Sequence, residues 1–195
     1  MLQSLPPRHP ASDRDKRENM EQTSVKRELI EWIIVIAISA LLALGLDKFI
    51  IVNAKIPSAS MEPTIMTGDR LIGNRLAYIN DSPVRGDIVI FMYPDNENEY
   101  FIKRVIGLPG ETVTIKDGRV YIDDSTVPLD ESAYIATTPL GDFGPYKVPE
   151  GAYFMMGDNR NNSMDSRYWN QPYVYKDKIL GKAWVRYFPK FSRVE

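Results

Sequence analysis

The chain has 195 residues, a formal charge of −2, no cysteine and one histidine. No basic surplus is available to neutralise phosphates, so no nucleic-acid partner is expected, and thiol proteases, disulfide frameworks and cysteine-ligated zinc are excluded. His9, in a polar terminal stretch, is the one histidine a Ser-His-Asp triad could recruit, so a hydrolase with a nucleophilic side chain points to a lysine or carboxylate base.

Residues 1–28 begin the chain with mixed charges and Pro6, Pro7 and Pro10. Such a composition buries too little apolar surface to offset ordering entropy, and a disordered cytoplasmic tail is expected. An apolar run follows. Its uncharged part, Trp32 to Leu46, is about 15 residues, short of the roughly 20 that span a bilayer. Extending it to 29–52 reaches that length and admits Glu31, Asp47 and Lys48, which can snorkel at the margins. The run is apolar on every helical face, which favours a membrane anchor over the buried helix of a soluble core. Lys16, Arg17, Lys26 and Arg27 precede it, whereas Lys48 and Lys55 are the nearby bases behind it. The positive-inside tendency then keeps the N-terminus cytoplasmic and puts the later residues outside, away from His9.

Residues 53–195 read as strands joined by turns, an antiparallel β domain on one helical anchor. Asp87 to Met92 is apolar and β-branched. Thr112 to Ile115, Asp117-Gly118 and Arg119 to Ile122 form a hairpin pattern whose Asp-Gly suits a type I′ turn. Ala152 to Met156 and Ala183 to Tyr187 are further strand candidates. Arg85-Gly86-Asp87 spells an adhesive tripeptide but is read as the turn that delivers the chain into the next strand.

Three clusters can carry chemistry. In Pro57-Ser58-Ala59-Ser60-Met61-Glu62-Pro63-Thr64, two prolines stiffen a non-helical loop around two serines, as a nucleophile beside backbone N–H donors requires. An ordinary turn has the same pattern. In Tyr100 to Ile106, strand alternation places Lys103 on the face of Phe101 and Val105. If that face is the core side, desolvation lowers the lysine pKa from about 10.4 towards neutrality, at a cost of roughly 3–5 kcal/mol, and frees an amine to take a serine proton. Periodicity alone does not separate this from a lysine that snorkels to the sheet edge. The third cluster, Gly157 to Arg167, is a polar loop in which Ser163 can orient the amine and Asp165 with Arg167 can brace the site. Its two carboxylates do not follow the EF-hand spacing, which argues against calcium.

Taken in order, these segments resemble the successive motifs of type I signal peptidases: Pro57 to Thr64, Gly68-Asp69, Arg85 to Val89, Lys103 to Glu111, Gly157 to Arg167 and Gly181-Lys182-Ala183-Trp184. The resemblance runs over nearly the whole chain after the tail. It implies Ser60 as nucleophile, Lys103 as general base, Ser58 as an oxyanion-hole hydroxyl, Ser163 orienting the amine, and Asp165 with Arg167 bracing the site. It also implies secretory preproteins as substrates, cut after a small-x-small sequence such as Ala-x-Ala through an acyl-enzyme, with no metal or cofactor. A monomer anchored once in the plasma membrane is expected, with a thylakoid membrane as the alternative location. The chain departs from relatives at Asp123-Asp124, where Asn-Gly is frequent, and at Asn170, where Gly is frequent. Two competing readings are a specialised Ser–Lys processing peptidase with a narrow substrate, and an anchored β domain that binds exported peptides without cutting them.

Overall fold

The computed structural model describes residues 13–194, with side-chain surroundings from Lys26 onward, Asp47 apart. The chain divides into two units, residues 1–45 and 46–195. The first unit contributes most of helix α1, Asp13–Phe49. Within it, Lys26–Leu46 is a 21-residue stretch of mean hydropathy 2.5, none of it buried against protein. At 1.5 Å per residue it reaches roughly 30 Å, the thickness of a bilayer core, so it fits a membrane-crossing segment by length and composition.

The helix starts well before the apolar run. Residues 13–28, placed in the disordered tail on composition, are helical here, while residues 1–12 of that tail lie outside the described residues. The physical reason is local. From Ala11 to Glu28 the sequence carries no proline and is rich in Lys, Arg and Glu, good helix formers that can extend an already nucleated helix.

The second unit is built of antiparallel strands. They are β1 Ile51–Lys55, β2 Arg70–Asn74, β3 Ile88–Tyr93, β4 Asn96–Gly107, β5 Thr112–Lys116, β6 Arg119–Ile122, β7 Phe143–Lys147, β8 Ala152–Met156, β9 Tyr173–Tyr175, β10 Ile179–Phe188 and β11 Ser192–Arg193. The larger sheet runs β1-β2-β10-β3-β4-β8-β9, with β11 on β10, and the smaller one runs β6-β5-β7. The expected strands at 152–156 and 183–187 fall inside β8 and β10, and the one at 87–92 lies in β3 except at Asp87, which belongs to the preceding turn. The predicted hairpin is β5–β6, with Val113 opposite Ile122 and Lys116 opposite Arg119. Its Asp117 and Gly118 both take positive φ, 50° and 72°, as a type I′ turn requires. Arg85-Gly86-Asp87 is a turn as well: Asp87 N–H donates to the Val84 carbonyl, and Asp87 is buried.

The core explains why β4 matters. Its last six residues, Ile102 to Gly107, are all buried, because cores lie on both faces. Ile102 packs with Val52, Met61 and Ile65, Ile106 with Val113 and Phe154, and Val105 with Val89, Phe91 and Trp169. A strand enclosed in this way loses the alternation of buried and exposed residues. Trp169 seals one end: its ring meets Phe91, Tyr93 and Phe101 at centroid distances of 5.9, 5.4 and 5.9 Å, two of them edge-on. The Asp95 carboxylate accepts the N–H groups of Asn170 and Gln171 just beyond, both at 2.9 Å. Together these contacts fix the end of the long segment between β8 and β9, which carries the third sequence cluster.

Candidate active site

The segment between β1 and β2 carries Ser60 up against the middle of β4. Lys103 Nζ lies 2.6 Å from Ser60 Oγ and also donates to the Ile102 carbonyl at 3.0 Å. Lys103 is 3 % exposed and Ser60 7 %, so the two groups meet out of bulk water. The lysine does not snorkel. Its strand neighbours are themselves enclosed, and the amine ends over the Phe101 ring, 5.5 Å from the centroid. Burial pushes the Lys103 ammonium down to about 8, while the carboxylates of Asp165 and Asp158 pull it partly back up. A lysine with that pKa is partly a free amine at neutral pH, whereas an exposed one is not.

Two loops and a strand are tied together behind this pair. The Asp158 carboxylate receives Arg104 through two bonds of 2.8 and 2.7 Å and the Thr64 hydroxyl at 2.5 Å. One buried carboxylate therefore joins the serine loop, β4 and the segment after β8. Asn159 reinforces the joint: its N–H donates to the Ser60 carbonyl and its side-chain amide to the Ala59 carbonyl, both at 3.1 Å. Asp165 and Arg167 form the expected pair, with bonds of 2.8 and 2.9 Å. Asp165 also accepts the Gly157 N–H at 3.0 Å, and Arg167 donates to the Arg160 carbonyl at 2.6 Å. Breaking a buried pair of this kind by removing one partner costs about 3–5 kcal/mol, since the other charge stays buried. Asp158→Asn is therefore expected to lower stability by that amount, read as a shift of the denaturation midpoint at constant slope.

The other two expected site residues are less tightly engaged. Ser58 Oγ is 3.4 Å from Ser60 Oγ, at the outer limit of a hydroxyl hydrogen bond. Ser163 Oγ is buried and has no hydrogen-bond partner among the described residues, so its expected bond to Lys103 is not formed here. Ser163 nevertheless packs beside the centre, since a Cβ built on Gly157 would lie 2.3 Å from both Ser163 Oγ and the Ser60 carbonyl oxygen. In front of the serine–lysine pair opens a cleft of about 380 Å³, walled by Ile56, Pro57, Tyr100 and Ile102. A smaller hollow of about 170 Å³ adjoins it, sharing Ile56 and Ile102 and bounded by Val52 and Ile90.

The signal peptidase family, peptidase S26, matches residues 29–188. The chain belongs to this family. It is 45% identical over 156 residues to the probable signal peptidase I-2 of Synechocystis, a match covering 77% of this chain and 69% of that protein. It is 43% identical over 192 residues to the signal peptidase I of Leptolyngbya laminosa, covering 94% and 88%. The signal peptidase I of Bacillus licheniformis is 38% identical over 177 residues, covering 87% and 94%. Membership of this peptidase family, with an apolar N-terminal helix and an antiparallel β domain, agrees with what the ordered motifs implied.

Several members of the site escaped the sequence reading. Arg104 lies within the Lys103 to Glu111 motif with no role of its own there, yet it anchors Asp158. Gly157, Asn159 and Arg160 belong to the polar loop of the third cluster with no individual role there, and Glu131, the partner of Arg160, lies outside every motif. One signal was available: Arg104 and Arg160 are strong bases within apolar or turn-rich stretches, and buried arginines need acids. Which acids they find depends on the fold.

Proposed function

We propose that the chain is a membrane-anchored signal peptidase I that removes signal peptides from secretory preproteins after a small-x-small site. The observation that carries the reading is the buried 2.6 Å contact between Lys103 Nζ and Ser60 Oγ. The neutral Lys103 amine takes the Ser60 proton as Oγ attacks the scissile carbonyl, and the Ser60 N–H with the Ser58 hydroxyl receives the developing oxyanion. The lysine then gives its proton to the departing amine, leaving an ester on Ser60. A water deprotonated by the same amine hydrolyses that ester. Asp165, Arg167 and Ser163 hold the geometry and take no proton.

The cleft supports the substrate preference. An extended peptide presents every second side chain to the same face, so the residue at the cut and the one two before it both face the enzyme. The two adjoining hollows are walled by Ile56 and Ile102, with Ile90 in the smaller one, and suit uncharged, apolar side chains at those two positions; the preference for small ones rests on the family resemblance. The N-terminus is assigned to the cytoplasm and the β domain to the far side of the membrane, on the charge asymmetry around the helix.

Cleavage of a purified preprotein by the detergent-solubilised full chain tests this reading, with Ser60→Ala alongside. Cutting after a small-x-small site by the unmodified chain alone is the expected result, and equal cutting by both removes Ser60 from the mechanism. The rate should also rise with pH, about tenfold per unit below pH 8, and level off above it as Lys103 loses its proton. A rate flat between about pH 5 and 9 contradicts a lysine base.

A further inference from the structure

The loop 123–142, between β6 and β7, belongs to none of the motifs, yet it reaches the back of the catalytic loop. Glu131 in that loop meets Arg160, whose side chain is fully enclosed, through both carboxylate oxygens; one of the bonds measures 2.6 Å. Tyr134 supports the same carboxylate with its hydroxyl at 3.0 Å, and its ring lies 4.0 Å from the Arg104 guanidinium. Arg160 in turn is attached to the site at two points. Its Nε donates to the Gly157 carbonyl at 3.1 Å, and its own carbonyl receives Arg167 at 2.6 Å. Gly157 is the residue at which an added Cβ would run into both the Ser60 carbonyl oxygen and the Ser163 hydroxyl, so its place and theirs are coupled.

We propose that Glu131 is a positioning residue, holding Arg160 so that the 157–167 loop keeps Gly157 and Ser163 in register with the Ser60–Lys103 pair. The inference rests on the catalytic reading above. Among the described residues, the terminal nitrogens of Arg160 have no acceptor other than Glu131. Without that carboxylate, a buried guanidinium must seek another anion. The one next in electrostatic reach is Asp165, already engaged by Arg167 and the Gly157 N–H. Competition for Asp165 pulls directly on Gly157. Misplacement of this kind acts on turnover more than on substrate binding, since Glu131 lies away from the residues that line the cleft.

The test is steady-state cleavage of a preprotein by the full chain in detergent, comparing the unmodified protein with Glu131→Gln and Glu131→Asp. Glu131→Gln is expected to lower kcat about tenfold with KM changed less than about twofold, and Glu131→Asp to recover most of the loss. A folded Glu131→Gln with kcat within about twofold of the unmodified chain overturns the proposal, as does a rise in KM alone. If Glu131→Gln loses its β-sheet signal, the double variant Glu131→Leu/Arg160→Met decides, because it removes both charges together and leaves neither unpaired. Folded with kcat down about tenfold, it supports the proposal; folded at full rate, it overturns it. Ser60→Ala in the same series separates the two readings. An inactive Ser60→Ala beside a fully active Glu131→Gln sinks this inference alone, whereas an active Ser60→Ala sinks both.

Discussion

Lys103→Met is expected to lower kcat on the order of 10⁴-fold while leaving the β domain folded. The variant keeps the length and apolar body of the side chain but removes the one group within hydrogen-bond distance of Ser60 Oγ that can take its proton. Stability should move the other way. Burial holds the folded-state pKa of Lys103 near 8, below its ordinary 10.5. Below pH 8 the folded chain therefore keeps an ammonium that the unfolded chain solvates better, a penalty of about 3 kcal/mol. The penalty shrinks as pH rises from 8 towards 10.5, where the folded amine is neutral and the unfolded one is still charged. Lys103→Met removes it, so the variant should melt at the same or a higher temperature than the unmodified chain at pH 7, with the advantage fading at alkaline pH. Preprotein cleavage and thermal melts at pH 7 and 10 read both effects. An inactive variant that has also lost its β-sheet circular dichroism would make Lys103 structural.

Gly157→Ala should be the next most damaging single change, lowering kcat on the order of 10²-fold. The added methyl would stand 2.3 Å from the Ser60 carbonyl oxygen and from Ser163 Oγ, and 2.7 Å from Ser163 Cβ. One of these atoms is backbone and cannot rotate away. Gly157 itself is held on both sides, its N–H by Asp165 and its carbonyl by Arg160, so relief must come from moving the serine loop. A shift of even part of an ångström separates Ser60 Oγ from the amine. Cleavage kinetics with a parallel melt check the effect. A Gly157→Ala variant within twofold of the unmodified rate would mean that Ser60 does not depend on this contact for its position.

The sequence was most informative where the signal is local. The Asp-Gly turn, the β-branched run of β3 and the apolar β8 are each decided by a few neighbouring residues, and each strand lies where its pattern put it. The helix start was misjudged, because composition says whether a segment can fold alone, not whether it continues a helix already nucleated next to it. At β4 the difficulty was different. Alternation put Lys103 on the face of Phe101 and Val105, but alternation carries no information on which face is dry when both are. Asp123 shows a departure absorbed locally: it takes a φ of 53°, a conformation that Asn or Gly adopts more easily.

By itself, then, the sequence determined the chemical vocabulary: no thiol, a single histidine, a serine between prolines and a lysine in an apolar, β-prone run, in an order that resembles one peptidase family. Those are properties of residue type and spacing. Tertiary structure decided the encounter of Ser60 with a lysine 43 positions away, the desolvation that lowers its pKa, and the joining of Thr64, Arg104 and Asp158. It also decided that Glu131, in a loop with no motif, would reach Arg160. Buried charges select partners by proximity in the folded core, and proximity across long separations follows from strand order and burial on both faces, which short-range patterns do not encode.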